Sequence, residues 1–155
     1  MTAVERARSI CAGVPDPELA VVTIGELGIV RDVRLDDDGG VEVVLTPTYS
    51  GCPAIEVIRD SVRRALQAEG FASVDVRMAL SPAWSTDHMS AAGRSKLAGF
   101  GIAPPAAVAD RTAAVRCTRC GSDQTESVSR FGPTPCLAMY RCTSCLEPFD
   151  AVKPH

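Results

Sequence analysis

The stretch Leu45-Thr46-Pro47-Thr48-Tyr49-Ser50-Gly51-Cys52-Pro53 is where the chain changes period. Before it, Val41, Val43 and Leu45 fall on one face of a strand with a period of two. After it, Ile55, Ile58, Val62, Ala65 and Leu66 recur at helical spacing, while Glu56, Arg59, Arg63 and Arg64 take the other side of the helix. Pro53 fits the first helical position, where its missing N–H costs nothing, so Cys52 falls at or next to the N-cap. Several backbone N–H groups there lack an intrahelical partner, and the partial positive charge of a helix start favours a thiolate. A cysteine packed as a small hydrophobe fits the same position.

Upstream, Val33 and Leu35 alternate with Asp32 and Arg34, which predicts a half-buried strand over 29–35. Asp36-Asp37-Asp38-Gly39-Gly40 then has the composition of a hairpin turn and lacks the spacing and closing glutamate of an EF-hand loop. Downstream, Gly70 ends the helix, and Val74, Val76, Met78 and Leu80 alternate with Asp75 and Arg77 as a third strand. A helix between two strands implies a crossover connection. At the start of the chain, Val4, Ala7, Ile10 and Cys11 predict a short helix over 3–12, stopped by Gly13 and Pro15. Asp16-Pro17-Glu18 places two acids in a stiff turn, where they are caps, solvated charges or contacts to a metal or partner.

The chain of 155 residues has room for one domain with a small appendage, or for two small domains. Its 46% hydrophobic and 23% charged content is that of an ordinary globular protein. A net charge of −3, a pI near 5.4 and the lack of any Arg- or Lys-rich run disfavour nucleic acid and anionic membrane as partners. The opening Met1-Thr2-Ala3-Val4-Glu5-Arg6-Ala7-Arg8 lacks the apolar stretch of a signal peptide, and no segment approaches the length of a membrane span, so the expected location is the cytoplasm. Seven cysteines, an odd number, in a reducing compartment point to metal ligation or thiol chemistry rather than a disulfide framework.

The loop 81–89 carries the only tryptophan, Trp84, as a plug over the core or an anchor for a partner, and a weaker helix follows over 90–100. His88 has no ligand at helical spacing. Gly101 to Ala109, rich in alanine and proline, reads as a semi-rigid linker. Beyond it, Cys117-Thr118-Arg119-Cys120 and Cys142-Thr143-Ser144-Cys145 are two C-x2-C knuckles separated by residues 121–141. Two such loops can close a tetrahedron round Zn²⁺ with S–Zn distances of about 2.3 Å, leaving no open position for water, so the role is structural. Rubredoxin-like iron or an iron–sulfur cluster would use the same ligands. Residues 125–130 and 137–141 can pair between the knuckles to complete a ribbon. Cys136 is the odd thiol, either filler or a transient ligand.

Asp16-Pro17-Glu18, Leu27-Gly28-Ile29-Val30-Arg31 and Thr46 to Pro53 together resemble the domain of SufT-like and cytosolic iron–sulfur assembly factors. The wider set is similar to the PaaD-like (PaaJ-like) family of the bacterial phenylacetyl-CoA epoxidase system. It comprises residues 46–54, 82–87 and 100–105, Cys117 to Cys120, Phe131-Gly132, Cys136, and Tyr140 to Asp150. The resemblance implies a protein that is not itself the oxygenase. It would accompany a di-iron monooxygenase and an iron–sulfur flavoprotein reductase in aerobic phenylacetate breakdown. It also implies Cys52 as the reactive or metal-handling thiol, Asp16 and Glu18 as nearby acids, and zinc on Cys117, Cys120, Cys142 and Cys145. The chain departs from the pattern at Ala20, where proline is common, at His88, where an aromatic residue is expected, and in a tail without a late cysteine.

The expected architecture is α+β: a small αββαβ sandwich domain over 1–101, a Pro/Ala linker over 102–112 and a four-cysteine zinc ribbon over 113–155. The expected role is an accessory protein that matures an iron–sulfur or di-iron centre of the epoxidase; the alternative is a stable non-catalytic subunit of that complex. Structural Zn²⁺, a transient iron or iron–sulfur cluster, the oxygenase and reductase components as partners and a possible homo-oligomer complete the expectation. An independent hydrolase or thiol oxidoreductase would lack a base, because His88 and His155 sit in unpromising places.

Overall fold

A computed structural model describes all residues from Met1 to His155, which divide into two compact units, Met1–Trp84 and Ser85–His155. In the first, α1 (Ala3–Ala12) begins on Thr2. The Thr2 hydroxyl accepts from the Glu5 N–H and the Glu5 carboxylate accepts from the Thr2 N–H, so two donors with no intrahelical partner are satisfied reciprocally. The helix buries Ala7 and Cys11, one turn apart, and burial pushes the Cys11 thiol up to about 11, which makes it a packing group.

Strands β1 (Val30–Leu35) and β2 (Val41–Leu45) pair antiparallel, with Leu35 opposite Val41. The Asp36 carboxylate accepts from the N–H groups of Asp38 and Gly40, so the run of acids closes a turn, as its composition predicts. Helix α2 (Ala54–Ala68) buries Ala54, Ile58, Val62 and Leu66, the stripe given by the 3.6 period. Strand β3 (Val74–Met78) then returns parallel to β2, with Val41 opposite Val74 and Leu45 opposite Met78. The sheet order is β1-β2-β3, which puts β2 at the centre with Val41, Val43 and Leu45 buried. The expected alternation continues to Leu80, but the ladder stops at Met78 because β2 ends at Leu45; Leu80 is exposed. Trp84 is buried, and its indole N–H donates to the Leu27 carbonyl at 2.9 Å, so it packs into this unit.

In the second unit a short 3-10 turn, Thr86–His88, is capped by Ser85, and His88 Nδ1 accepts from the Ser85 N–H. His88 is thereby engaged in a local cap. Helix α3 (Ala91–Gly99) starts on Ser90, whose hydroxyl accepts from the Gly93 N–H, and Arg94 donates to the carbonyls of Thr86 and Pro105. A four-stranded sheet follows, in the order β4 (Ile102–Ala103), β7 (Pro148–Val152), β6 (Leu137–Cys142), β5 (Thr125–Ser129). The β5–β6 hairpin matches the ribbon expected between the knuckles. The sheet is widened by β7, antiparallel to β6, and by β4, parallel to β7. The protein is α+β, with an αββαβ first unit and a ribbon near its C-terminal end.

Gly25 is required by close approach. Its N–H donates to the Ala12 carbonyl, and a Cβ placed on it would lie 2.6 Å from the Ala12 Cβ and 2.7 Å from the Ala12 Cα and carbonyl oxygen. The obstacle is largely backbone and cannot move aside as a side chain can. Gly25→Ala is therefore expected to lower stability by roughly 1–3 kcal/mol, measured by urea denaturation followed by far-UV circular dichroism. An unchanged midpoint would contradict this packing.

Candidate functional site

Two clusters of chemistry-bearing residues stand out, one in each unit. In the first, the Leu45-to-Pro53 stretch leaves the end of β2 and turns into α2. Cys52 closes a tight turn by donating its N–H to the Tyr49 carbonyl, and Gly51 supplies the positive φ of 81° that this turn needs. Pro53 has helical dihedrals, and the Cys52 carbonyl accepts from the Ile55 N–H, so Cys52 directly precedes the first residue of helical conformation. Proline offers no side-chain acceptor, and the first turn of α2 carries no side-chain cap. Cys52 is 7% exposed. On the same stretch, the Thr46 hydroxyl is buried without any hydrogen-bond partner from the protein. A buried hydroxyl of that kind can be satisfied by water or by a passing ligand. A threonine placed directly after an apolar strand and before proline is the sequence signal for it.

Asp16 is 7% exposed, and its carboxylate accepts from the N–H groups of Glu18, at 2.9 Å, and Leu19, at 2.7 Å. It therefore braces the turn that presents Glu18. Burial, then the neighbouring Asp16 carboxylate, raises the Glu18 carboxyl above its ordinary value. Asp16, Glu18 and Cys52 all lie in the Met1–Trp84 unit, and no hydrogen bond joins either acid to Cys52.

In the second unit the knuckles converge. The four sulfurs of Cys117, Cys120, Cys142 and Cys145 lie within 4.8 Å of one another, with Cys117 Sγ 3.7 Å from Cys145 Sγ and Cys120 Sγ 3.6 Å from Cys142 Sγ. Those two separations approach the edge of about 3.8 Å that a tetrahedron with metal–sulfur bonds near 2.3 Å requires. The residues fit a four-thiolate metal site. Backbone N–H groups support it: Arg119 N–H donates to Cys117 Sγ and Cys145 N–H to Cys142 Sγ, each at 3.4 Å.

The thiols divide in acidity. Backbone donation from Cys145, with further donors outweighing burial, holds Cys142 down to about 6, and donation from the Cys120 backbone likewise lowers Cys117. At Cys145, the Glu147 backbone acts to lower the pKa, but burial and the three neighbouring thiols prevail and push it up to about 12. Four thiolates cannot crowd together without a cation, and a bound dication removes that conflict. The buried hydrophobic cluster around the site consists of Ala103, Cys117, Cys142, Phe149 and Ala151, so two of its five members are themselves ligands. The two knuckles also share a turn geometry, with positive φ at Gly121 (74°) and at Leu146 (67°), each directly after a second cysteine.

Fold and sites define a two-part protein: an αββαβ domain with a thiol at a helix start, followed by a four-cysteine ribbon. Residues 6–85 match the family model of an iron–sulfur cluster assembly protein, and residues 102–153 match that of the PaaD zinc beta ribbon domain. The chain is 46% identical over 148 residues, covering 94% of its length and 89% of the relative's, to an Escherichia coli (strain K12) protein provisionally named as one of the subunits of 1,2-phenylacetyl-CoA epoxidase. It is also 40% identical over 78 residues, half of this chain and 76% of the relative, to the Fe-S protein maturation auxiliary factor YitW of Bacillus subtilis (strain 168). Among solved structures, a domain of unknown function from Bacillus anthracis superposes with a TM-score of 0.56 at 29% identity, over 61% of this chain and 90% of that one. The chain belongs to the PaaD-like family, in which an iron–sulfur cluster assembly domain is joined to a zinc beta ribbon.

The ribbon's dependence on metal is directly testable. Purified protein is expected to hold about one metal ion per chain, and Cys142→Ser, which removes a fully buried ligand, to hold less than about a tenth of that, by elemental analysis. Full metal content in Cys142→Ser would contradict four-thiolate ligation.

Proposed function

We propose that this protein is an accessory factor of aerobic phenylacetate degradation that matures an iron–sulfur or di-iron centre of the phenylacetyl-CoA 1,2-epoxidase. The observation that carries the proposal is Cys52 at the uncapped start of α2, within a domain of the iron–sulfur cluster assembly family. That domain is joined in one chain to a ribbon matching the PaaD model.

In this reading the cargo is an iron ion or a small cluster. Cys52, directly before the helical residues of α2, is its sulfur ligand. Asp16 fixes the turn that presents Glu18, and Glu18, whose carboxyl is raised above its ordinary value by burial and then by the Asp16 carboxylate, supplies the nearby carboxyl. The hydroxyl of Thr46 is free to donate to a sulfur or oxygen of the cargo. Cys117, Cys120, Cys142 and Cys145 hold zinc, which organises the ribbon and supplies no open coordination position. The protein acts in the cytoplasm on the oxygenase and reductase components and is not catalytic alone. No helix is long and apolar enough to cross a membrane.

The name of the Escherichia coli relative, which makes it part of the epoxidase, favours a second reading in which the chain remains in the complex as a non-catalytic component. Substituting the thiol separates a chemical role from a packing role. In cells that lack the native copy, Cys52→Ser is expected to lower phenylacetyl-CoA epoxidation by about tenfold or more while the variant accumulates and melts like the wild type. Full epoxidation with Cys52→Ser would refute a role for this thiol.

A further inference from the structure

Beyond the maturation role, the Ser85–His155 unit contains a cavity lined by none of the four clustered cysteines, though it shares Ala103 and Ala151 with the apolar cluster behind them. Its volume is about 340 Å³, and its walls include Pro105, Val115, Tyr140 and Ala151. Three cations line it, Arg111, Arg116 and Lys153, and no acidic residue does. A second cavity shares the Tyr140 and Lys153 wall and adds Arg130 and His155, with no Asp or Glu side chain.

This local charge is conspicuous in a chain of net charge −3. Arg8, Arg34, Arg59, Arg63, Arg77, Arg119 and Arg141 each pair with a carboxylate, Arg94 donates to backbone carbonyls and Arg6 lies over the Phe71 ring. Arg111, Arg116 and Arg130 make no ion pair. Burial, then Lys153 and Arg111, lowers His155, which marks the same positive field. Tyr140 is stacked on Phe149 with ring centroids 6.0 Å apart, so its ring is held in place beside the cations. The Lys153 ammonium is likewise fixed, donating to the Pro135 carbonyl at 3.0 Å and lying 5.1 Å from the centre of the Phe131 ring.

A concave volume with apolar walls, an oriented aromatic ring and guanidinium forks without carboxylate partners has the chemistry of a site for a small organic anion. We propose that this cavity binds a phosphomonoester carrying a flat organic body, with Arg111, Arg116 and Lys153 on the phosphate and Tyr140 beside the ring. The site lies outside the cysteine ligands and is independent of the Cys52 reading.

The test is calorimetric titration of the full-length, metal-loaded protein with adenosine 5′-monophosphate as probe, against adenosine and inorganic phosphate. The nucleotide is expected to bind with a Kd below about 1 mM, and each half alone at least about tenfold more weakly. The double variant Arg111→Gln/Arg116→Gln should weaken the nucleotide by about tenfold or more, whereas Arg64→Gln, an exposed change on α2, should leave it unaltered. Both altered cavity arginines are exposed, and metal content checks that the ribbon is intact. As a readout that needs no variant, the nucleotide should shift the amide resonances of Ala138, Ala151 and Val152, which line the cavity. No binding at about 5 mM would overturn the proposal. So would inorganic phosphate binding as tightly as the nucleotide, equal losses in Arg64→Gln and the double variant, or shifts confined to other residues.

Discussion

The parallel pairing of β2 with β3 is the constraint from which the first unit follows. Two parallel neighbours cannot be joined by a tight turn, so the chain must cross from one end of the sheet to the other, and α2 makes that crossing. Because β2 is the central strand and is bonded on both sides, its end at Leu45 is fixed, and the turn to the helix has only a few residues in which to form. Gly51 allows that turn its positive φ, and Cys52 is left at the helix start. The position of the thiol is thus a consequence of sheet topology.

The second unit rests on a different interaction. Its small hydrophobic cluster includes two of the metal ligands, and much of its apolar surface, including Val128, Phe131 and Leu146, faces solvent. Around the knuckles themselves the buried cluster is small, and four thiolates brought within 4.8 Å provide a site for a metal to cross-link it. On this account a bound metal ion is the core of the ribbon, and an open catalytic site would be out of keeping with the closed four-thiolate donor set.

Features with a strong local signature were legible in the sequence. The 3.6 period of Ile58, Val62 and Leu66, the alternation of Val41, Val43 and Leu45, and the paired C-x2-C knuckles each carry their own physical reason, and the structure has the helix, the strand and the cluster. Other features depend on what the rest of the chain does. The two-residue strand Ile102–Ala103 has no period to read, and exists because β7 offers an edge. Leu80 alternates correctly but finds no partner once β2 has ended. The buried, unpartnered hydroxyl of Thr46 and the bracing of the Glu18 turn by Asp16 are properties of a folded environment, as are the cations without carboxylate partners around Tyr140. Sequence shows that such residues exist, while packing decides which of them are left unsatisfied.

An assembly factor is needed before the oxygenase works and a standing component while it works, and that contrast in timing gives the decisive measurement. The oxygenase and reductase components would be produced with and without this chain, the chain would be removed chromatographically, and phenylacetyl-CoA turnover would be measured together with bound iron. The maturation account predicts that components made in its presence stay active and iron-replete after it is removed, while those made in its absence are inactive and poor in iron. Activity that disappears on removal and returns on simple re-addition would contradict it.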